Sequence, residues 1–283
     1  MRDTRIIDVV VVGLDGSALA SMALPVAGDL SDSLGAELHV VSVVADETEI
    51  DGRAAEIART TEGVRHSRRS VIVNVDVAEV LHEALAQLAP AVLCLASHGR
   101  GRSAALIGSV AADIVGRARD AAVLIGPALD PEPRRGVPAT RGVVACVDGD
   151  QASLIVLPDA MAWAALLSEP LIVLTVADPT PAPVRGTSYH RRYGPDGDPD
   201  LYLRSIVEPL RPGYSGVIES TAVLDPISPA SGVRDHLRAH PARLAVVASR
   251  GRRGVQRLVF GSTSAAIVHW SPAPVLVVPR RDE

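Results

Sequence analysis

The 283-residue chain contains no lysine, so all 28 of its basic residues are arginines. Without lysine it has no Gly-Lys-Ser/Thr motif, which excludes the P-loop class of nucleotide-binding proteins. Aromatic residues make up only 2% of the sequence, and the formal net charge is −5. A chain this acidic and this poor in side chains that stack on bases is not expected to bind nucleic acid.

The chain has only two cysteines, Cys94 and Cys146, and each lies within an aliphatic run. Their spacing fits no metal motif, so we expect two buried, reduced thiols and no metal site. No apolar run reaches the length of a membrane span, and Arg2 and Asp3 precede a short strand rather than the apolar stretch of a signal peptide. These absences predict a cytoplasmic protein.

Aliphatic runs of Val, Ala, Leu and Ile are the main feature that is present, and hydrophobic residues make up 47% of the chain. The runs alternate with segments of helical periodicity, which is typical of a parallel sheet covered by helices on both faces. The whole pattern occurs twice, and each copy begins with a strand followed by Asp15-Gly16 or Asp148-Gly149. A repeat this long indicates two copies of one domain rather than a solenoid.

The alternation predicts an α/β fold in which each copy is a doubly wound five-stranded parallel sheet with strand order 3-2-1-4-5. We expect a first domain over residues 1–127 and a second over residues 142–283, joined by a proline-rich linker at 128–141. Residues 178–200, rich in Pro, Gly and Arg, are expected to form a partly disordered insertion.

Helical periodicity predicts a first helix over Ala18–Leu34 in one copy and about Ser153–Leu167 in the other. Pro158 is expected near the first turn of the second of these helices, or at a kink. Further along, Pro229 is expected to delay the next helix until Ser231.

A glycine-containing loop follows the fourth strand of each copy and leads to a Gly-Ser pair that opens a helix. Backbone N–H groups at a helix N-terminus bind anions, and glycine allows a phosphate to approach closely. Each copy therefore carries a candidate phosphate site. Its residues are Ser97, Gly99, Gly108, Ser109 and Val110 in the first copy and Ser249, Gly251, Gly261, Ser262 and Thr263 in the second.

Asp15 and Asp148 end the first strand of each copy, next to the point where the predicted strand order reverses. Ligands of doubly wound sheets bind at the carboxyl ends of the strands at this point, so each aspartate should meet its glycine loop in one crevice. A carboxylate there can accept hydrogen bonds from ribose hydroxyls or an adenine amine. The alternative is that each aspartate caps the following helix. Ser109 and Ser262 can likewise be caps, which is compatible with phosphate binding at the same helix end.

These motifs resemble the ATP-binding signature of the universal stress protein family, which is Gly, two residues, Gly, nine residues, then Gly-Ser/Thr. The resemblance covers nearly the whole chain, in two copies. It implies an adenine nucleotide alpha hydrolase-like fold and ATP as the ligand, alone or with Mg²⁺. It also implies a stress-response or regulatory protein with at most slow hydrolysis rather than an enzyme.

The resemblance adds two structural expectations. It places contacts to the adenine at Val43 and Val176, which the residues alone would equally assign to the core. In the family, the last strands of two domains pair antiparallel, which predicts that Ala122–Ile125 pairs with Val275–Val278. Further association into a homodimer is left open.

The chain departs from the signature at two points. Ala96 and Ala248 stand at the first glycine, and the first copy has eight rather than nine residues between Gly99 and Gly108. A shortened loop redirects its N–H groups, so we expect the second copy to bind ATP at least as well as the first.

The same departures keep other functions open. One alternative is an interaction or dimerisation module of the same fold that has lost nucleotide binding. Others are a binder of another adenine nucleotide such as cyclic AMP, and a phosphate-transfer or adenylyl-type enzyme. His98 lies in the first loop, but no partnered nucleophile with an orienting acid is evident, so no catalytic residue is predicted.

Overall fold

The computed structural model describes residues 7–64, 67–98, 107–117, 122–129, 142–178, 193, 197–225, 227–249 and 261–279. We refer to residues up to 129 as the first half and those from 142 as the second half. The strands of the first half are β1 (Val9–Gly13), β2 (Glu37–Val44), β3 (Ser67–Val73), β4 (Ala91–Ala96) and β5 (Ala122–Ile125). Those of the second half are β6 (Val143–Val147), β7 (Leu171–Ala177), β8 (Ile218–Leu224), β9 (Leu244–Ala248) and β10 (Val275–Val278).

Helices connect these strands. In the first half they are α1 (Ala18–Ser21), α2 (Ala23–Leu34), α3 (Ile50–Thr60), α4 (Val77–Gln87) and α5 (Ser109–Arg117). In the second half they are α6 (Val156–Leu166), α7 (Pro199–Val207), α8 (Pro229–Ala239) and α9 (Ser262–Trp270). Within the described ranges, no helix combines the length and the apolar character that a membrane span requires.

The described strands form one ten-stranded sheet of order β3-β2-β1-β4-β5-β10-β9-β6-β7-β8. Strands within each half are parallel and follow the order 3-2-1-4-5, which confirms the predicted fold. The two halves join through β5 and β10, which pair antiparallel with Val123 opposite Leu276. The predicted pairing of the last strands is therefore confirmed.

The core consists of two layers, one on each face of the sheet, and both layers continue across the junction of the halves. One layer packs beneath α2 and α6 and includes Leu30 and Trp163. The other packs beneath α4, α5, α8 and α9 and includes Leu81, Ile114 and Val268. Nearly all residues of β1, β4, β5, β6, β9 and β10 are buried, so these strands are covered on both faces and read as continuous aliphatic runs in the sequence.

The first helix of each half is shorter than predicted. The segment Ala18–Leu34 forms two helices that meet at Met22, and the side chain of Ser17 caps the first of them. In the second half, a 3-10 turn at Gln151–Ser153 precedes α6, and Pro158 lies in the first turn of α6, where its missing N–H is tolerated.

Pro229 does not delay its helix, so that prediction is wrong. Pro229 is the first residue of α8, a position that suits its fixed φ, and Ser228 and Ser231 form a capping box around it. The helix α7 was not predicted either; Asp198 caps it by accepting from the N–H groups of Asp200 and Leu201. Most of the predicted insertion, residues 179–192 and 194–196, lies outside the described residues.

Gly126, directly after β5, packs tightly against the second half. A Cβ atom at this position would overlap the carbonyl oxygen of Val268 and lie 3.2 Å from that of His269, both in the last turn of α9. Since both neighbours are backbone atoms, only glycine fits without a shift of the helix or the strand. The end of α9 is thus held against the first half.

We predict that Gly126→Ala destabilises the protein by about 1–3 kcal/mol, because the added methyl group overpacks this contact. Thermal unfolding of the whole chain measures the effect. Gly28→Ala in α2 is the matched control, since no heavy atom lies within 4 Å of its added Cβ. The control should be neutral or stabilising by about 0.5–1 kcal/mol. Equal melting temperatures for wild type and Gly126→Ala would contradict the tight contact.

Candidate functional site

Each half has a cavity at the carboxyl end of its first and fourth strands, where the strand order reverses. The cavity of the first half, the first cavity, measures about 240 Å³, and that of the second half, the second cavity, about 470 Å³. Predicted site residues that line the first cavity are Asp15, Val43, Ser97, Gly108, Ser109 and Val110. Those that line the second are Asp148, Val176, Ser249 and Thr263.

The four remaining predicted residues either lie next to these walls or fall outside the described residues. Gly261 and Ser262 directly precede Thr263 at the start of α9. Gly99 and Gly251 lie outside the described residues. The structure thus brings the strand-1 aspartate, the strand-4 serine and a helix N-terminus together in each half, although they are distant in sequence.

The strand-1 aspartates shape the turn that follows them. Asp15 Oδ1 accepts a hydrogen bond from the N–H of Ser17 at 2.8 Å, and Asp148 Oδ1 accepts one from the N–H of Asp150 at 3.1 Å. The residue between is a glycine at positive φ in both turns, 79° at Gly16 and 83° at Gly149. Capping itself falls to the next polar residue, Ser17 or Asp150, so the alternative role of the aspartates as caps is wrong.

A buried hydroxyl fixes the second strand to the end of the first in both halves. Ser42 Oγ donates to the carbonyl of Leu14 at 2.6 Å, and Thr175 Oγ1 donates to that of Val147 at 2.9 Å. Each hydroxyl directly precedes the valine that lines the cavity, Val43 or Val176. Ser42 and Thr175 were not identified from the sequence, although a hydroxyl residue within an otherwise aliphatic strand could have indicated them.

The strand-4 serines are buried and anchor the helix side of each cavity. Ser97 donates its N–H to Ile125 at 2.7 Å, and Ser249 donates its N–H to Val278 at 2.9 Å. The carbonyl of Ser97 accepts the N–H of Gly108 at 2.7 Å, which brings the start of α5 to the end of β4. The cavity wall therefore includes both the strand end and the first residues of the helix.

Gly261 has φ −61° and ψ 145°, an extended N-cap geometry that any residue can adopt, and no side chain among the described residues caps it. The first intrahelical bond of α9 runs from the N–H of Ala265 to the carbonyl of Gly261. The N–H groups of the preceding helical residues have no partner within the helix. Such groups favour an anion at this end of the helix.

The two cavities differ in the side chains at equivalent positions. A Cβ at Gly13 would lie 2.8 Å from Leu95 Cδ1, so this leucine fills the space that glycine leaves. The corresponding residues of the second half, two before Asp148 and two before Ser249, are Cys146 and Val247. On the helix side, Val110 and Ala111 are replaced by Thr263 and Ser264. The second cavity is thus larger and has more hydroxyl groups in its walls.

Tyr193 is bound at the edge of the second cavity, which the sequence did not reveal. Its hydroxyl donates to the carbonyl of Val176 at 3.1 Å, and only 7% of the residue is exposed. Its ring meets that of Tyr202 edge to face, with 5.6 Å between centroids. Burial, followed by the nearby charge of Asp148, raises the pKa of Tyr202 to about 12. The hydroxyl of Tyr193 therefore already donates to one carbonyl oxygen, that of Val176, at the wall of the second cavity.

The two cysteines have different surroundings. Cys94 is fully buried, as expected, whereas Cys146 is intermediate in exposure and lines the second cavity, so the residue is less buried than expected. Desolvation by the surrounding protein raises the pKa of both thiols to about 12. Both are therefore protonated near neutral pH.

His98 lines the first cavity and contacts both halves. Its Nδ1 lies 3.0 Å from Ser97 Oγ, and its ring centroid lies 5.7 Å from that of His269 in α9. Across the ranges that the structure describes, no group of three or more His, Cys, Asp or Glu residues is arranged to hold a metal ion.

Comparison with known proteins places the chain among relatives of the same fold. The model of the universal stress protein family matches residues 7–125 and 140–279. No curated protein matches the chain. The structure is similar to a universal stress protein from Archaeoglobus fulgidus DSM 4304, with 18% identity, a TM-score of 0.64, and coverage of 96% of this chain and 98% of that one.

Two further solved structures are similar to the chain. The cytoplasmic domain of a prokaryotic cation chloride cotransporter has 13% identity and a TM-score of 0.51, covering 96% of this chain and 94% of that one. A universal stress protein in complex with cAMP has 23% identity and a TM-score of 0.39, covering 51% of this chain and all of that one.

The family match in both halves agrees with the repeated strand order and with the pair of equivalent cavities. The chain is a member of the universal stress protein family that contains two copies of the family's domain in tandem.

Proposed function

We propose that this protein binds ATP in its two cavities and acts as a cytoplasmic regulator of a stress response. The observation that carries the proposal is the convergence, in both halves, of an aspartate, a buried serine and a helix N-terminus at the point of strand-order reversal. Family membership supports it. A ligand can regulate only by binding one conformation or complex better than another.

The chemistry of the walls suits an adenine nucleotide. The N-termini of α5 and α9 would hold the phosphates, because backbone N–H groups and the helix dipole favour negative charge there. Asp15 and Asp148 would accept hydrogen bonds from the ribose or the base. The aliphatic walls around Val43 and Val176 would pack against the base. Mg²⁺, where it accompanies ATP, would supply charge neutralisation at the phosphates.

The second cavity is proposed as the better ATP site. Its volume of about 470 Å³ falls within the usual range for small-molecule sites, roughly 300–1,000 Å³, whereas the first is smaller. The hydroxyl of Thr263 adds a donor on the phosphate side, whereas the single O–H of Ser264 already donates to the carbonyl of Ala248 at 2.7 Å. Asp150 in the same wall opposes this ranking, since its carboxylate repels phosphates.

An interaction module without nucleotide is the second candidate function. It is favoured by Tyr193, whose hydroxyl donates to the carbonyl of Val176 at the wall of the second cavity and so satisfies one of that oxygen's two acceptor positions. Mass spectrometry of small molecules released from the denatured protein separates the candidates. Co-purified ATP supports the proposal, and cAMP would redirect it to that nucleotide. No released nucleotide, together with no calorimetric response to ATP or cAMP, would support the interaction module.

We predict that Gly261→Glu abolishes ATP binding in the second cavity. A carboxylate about 4 Å from a phosphate charge costs on the order of 4 kcal/mol at an effective dielectric of about 20, which is roughly a thousandfold in affinity. The backbone at φ −61° accepts a side chain, so the fold should persist. Calorimetry should show one site lost per chain, with circular dichroism unchanged.

Gly261→Ala is the control for this substitution, because it adds a Cβ without charge and should bind ATP nearly as wild type does. Gly108→Glu is the mirror variant and should remove the first site instead. If folded Gly261→Glu binds ATP with unchanged stoichiometry and affinity, the nucleotide is not held at the start of α9.

We also predict that ATP protects Cys146 from alkylation. The thiolate is the reactive form, so a pKa of about 12 makes labelling slow at neutral pH and faster by about tenfold per pH unit up to pH 9. ATP in the second cavity should slow the reaction of Cys146 further by covering it. Peptide mass spectrometry after iodoacetamide treatment measures both cysteines separately.

Cys94, which is fully buried, is the internal control and should stay unlabelled with or without ATP. Cys146→Ser should remove the ATP-sensitive label. A labelling rate of Cys146 that does not change at saturating ATP would argue against occupancy of the second cavity.

A further inference from the structure

The first cavity has a wall residue, His98, that is in contact with the other half of the protein. The His98 and His269 rings meet at an interplanar angle of 77°, with 5.7 Å between centroids. His269 also meets Trp270 edge to face at 4.6 Å. Edge-to-face contacts favour one relative orientation of the rings. The His98 ring is therefore oriented from the second half.

The backbone that carries His269 is itself fixed to the first half. Gly126 lies so close to the carbonyl oxygens of Val268 and His269 that a Cβ there would overlap them. The last turn of α9 thus cannot move away from the first half without breaking this contact. The ring of His269 therefore projects from a helix end that packs tightly against the first half.

The antiparallel junction explains why this helix end reaches the first cavity. The helix α9 begins at the carboxyl end of β9 and runs back toward the amino ends of the strands of the second half. Because β5 and β10 pair antiparallel, the amino ends of the strands of the second half lie beside the carboxyl ends of the strands of the first half. The helix therefore begins near the second cavity and ends beside the first.

The contact has no counterpart at the equivalent position of the other half. The bonds from Ala112 to Gly108 and from Ala265 to Gly261 show that α5 and α9 begin equivalently. At the position in α5 that corresponds to His269, the first half has Gly116. Glycine offers no ring, so only the first cavity receives an aromatic side chain across the junction at this position.

We infer that His269 is a positioning residue for the first nucleotide site, holding the His98 imidazole where it donates a hydrogen bond to an anionic oxygen of the ligand. The first site is then a composite of both halves, whereas the second site does not depend on this contact. The inference rests on the proposed function, since it assigns a ligand contact within one of the two proposed ATP sites.

The test is calorimetry of ATP binding in the Gly261→Glu background, which leaves the first site alone. His269→Ala should weaken binding about two- to tenfold, the range expected for loss of one aromatic pair. His269→Phe keeps an edge-to-face ring and should retain the parental affinity. In the Gly108→Glu background, which leaves the second site alone, His269→Ala should change affinity by less than about twofold.

A double-mutant cycle separates positioning from a general structural effect. If His269 acts through His98, His269→Ala should have no further effect on ATP affinity once His98→Ala is present. The ring resonances of His98 in NMR spectra of the ligand-free protein should shift in His269→Ala and keep close to their parental positions in His269→Phe. This readout does not depend on ATP.

The outcomes distinguish the two proposals. Parental proteins that bind no ATP overturn the proposed function and this inference with it. Parental binding that is unchanged by His269→Ala, or additive effects of His98→Ala and His269→Ala, overturn the inference alone. Melting temperatures recorded for each variant identify any that fail to fold. If His269→Ala fails to fold, the His98 ring resonances of His269→Phe are compared with those of the parental protein, and a large shift overturns the inference.

Discussion

The antiparallel pairing of β5 with β10 is the interaction on which the rest of the architecture depends. It turns two aliphatic edge strands, each with unpaired backbone groups, into the centre of a ten-stranded sheet. It also makes both core layers continuous across the halves. Because the pairing is antiparallel, the strands of the two halves run in opposite directions. Their carboxyl ends therefore lie on opposite sides of the sheet along the strand direction, and the two cavities open on these opposite sides.

Two copies of one framework have acquired different cavity walls. The shared framework comprises the aspartate turn, the buried hydroxyl of the second strand and the buried serine of the fourth. The differences lie at single positions, where Gly13 with Leu95 corresponds to Cys146 with Val247. Across the junction, His269 corresponds to Gly116. Such changes alter the volume and polarity of the cavities without altering the sheet.

Much of the fold could be predicted because it depends on local patterns. Aliphatic runs bounded by glycine and aspartate located the strands, and their repetition located the two copies. The contacts of Tyr193 and His269 could not be predicted, since each depends on which residues the tertiary structure brings together. The start of α8 at Pro229 was not predicted because proline was treated as a residue that delays a helix. Proline is unfavourable inside a helix but favourable at its first position, where Pro229 lies. For the candidate site, sequence located the aspartates and serines of the framework, but it missed the hydroxyls of Ser42 and Thr175. It also missed the residues that make the cavities different.

The central claim is that each half holds one adenine nucleotide at the same place in its fold. Native mass spectrometry of the intact chain during titration with ATP tests it most directly, because it counts ligands per chain. The account predicts successive masses for one and two bound ATP molecules, with Gly261→Glu and Gly108→Glu each reduced to one. A chain that remains free of ATP at saturating concentration, or double occupancy that both variants retain, would contradict it.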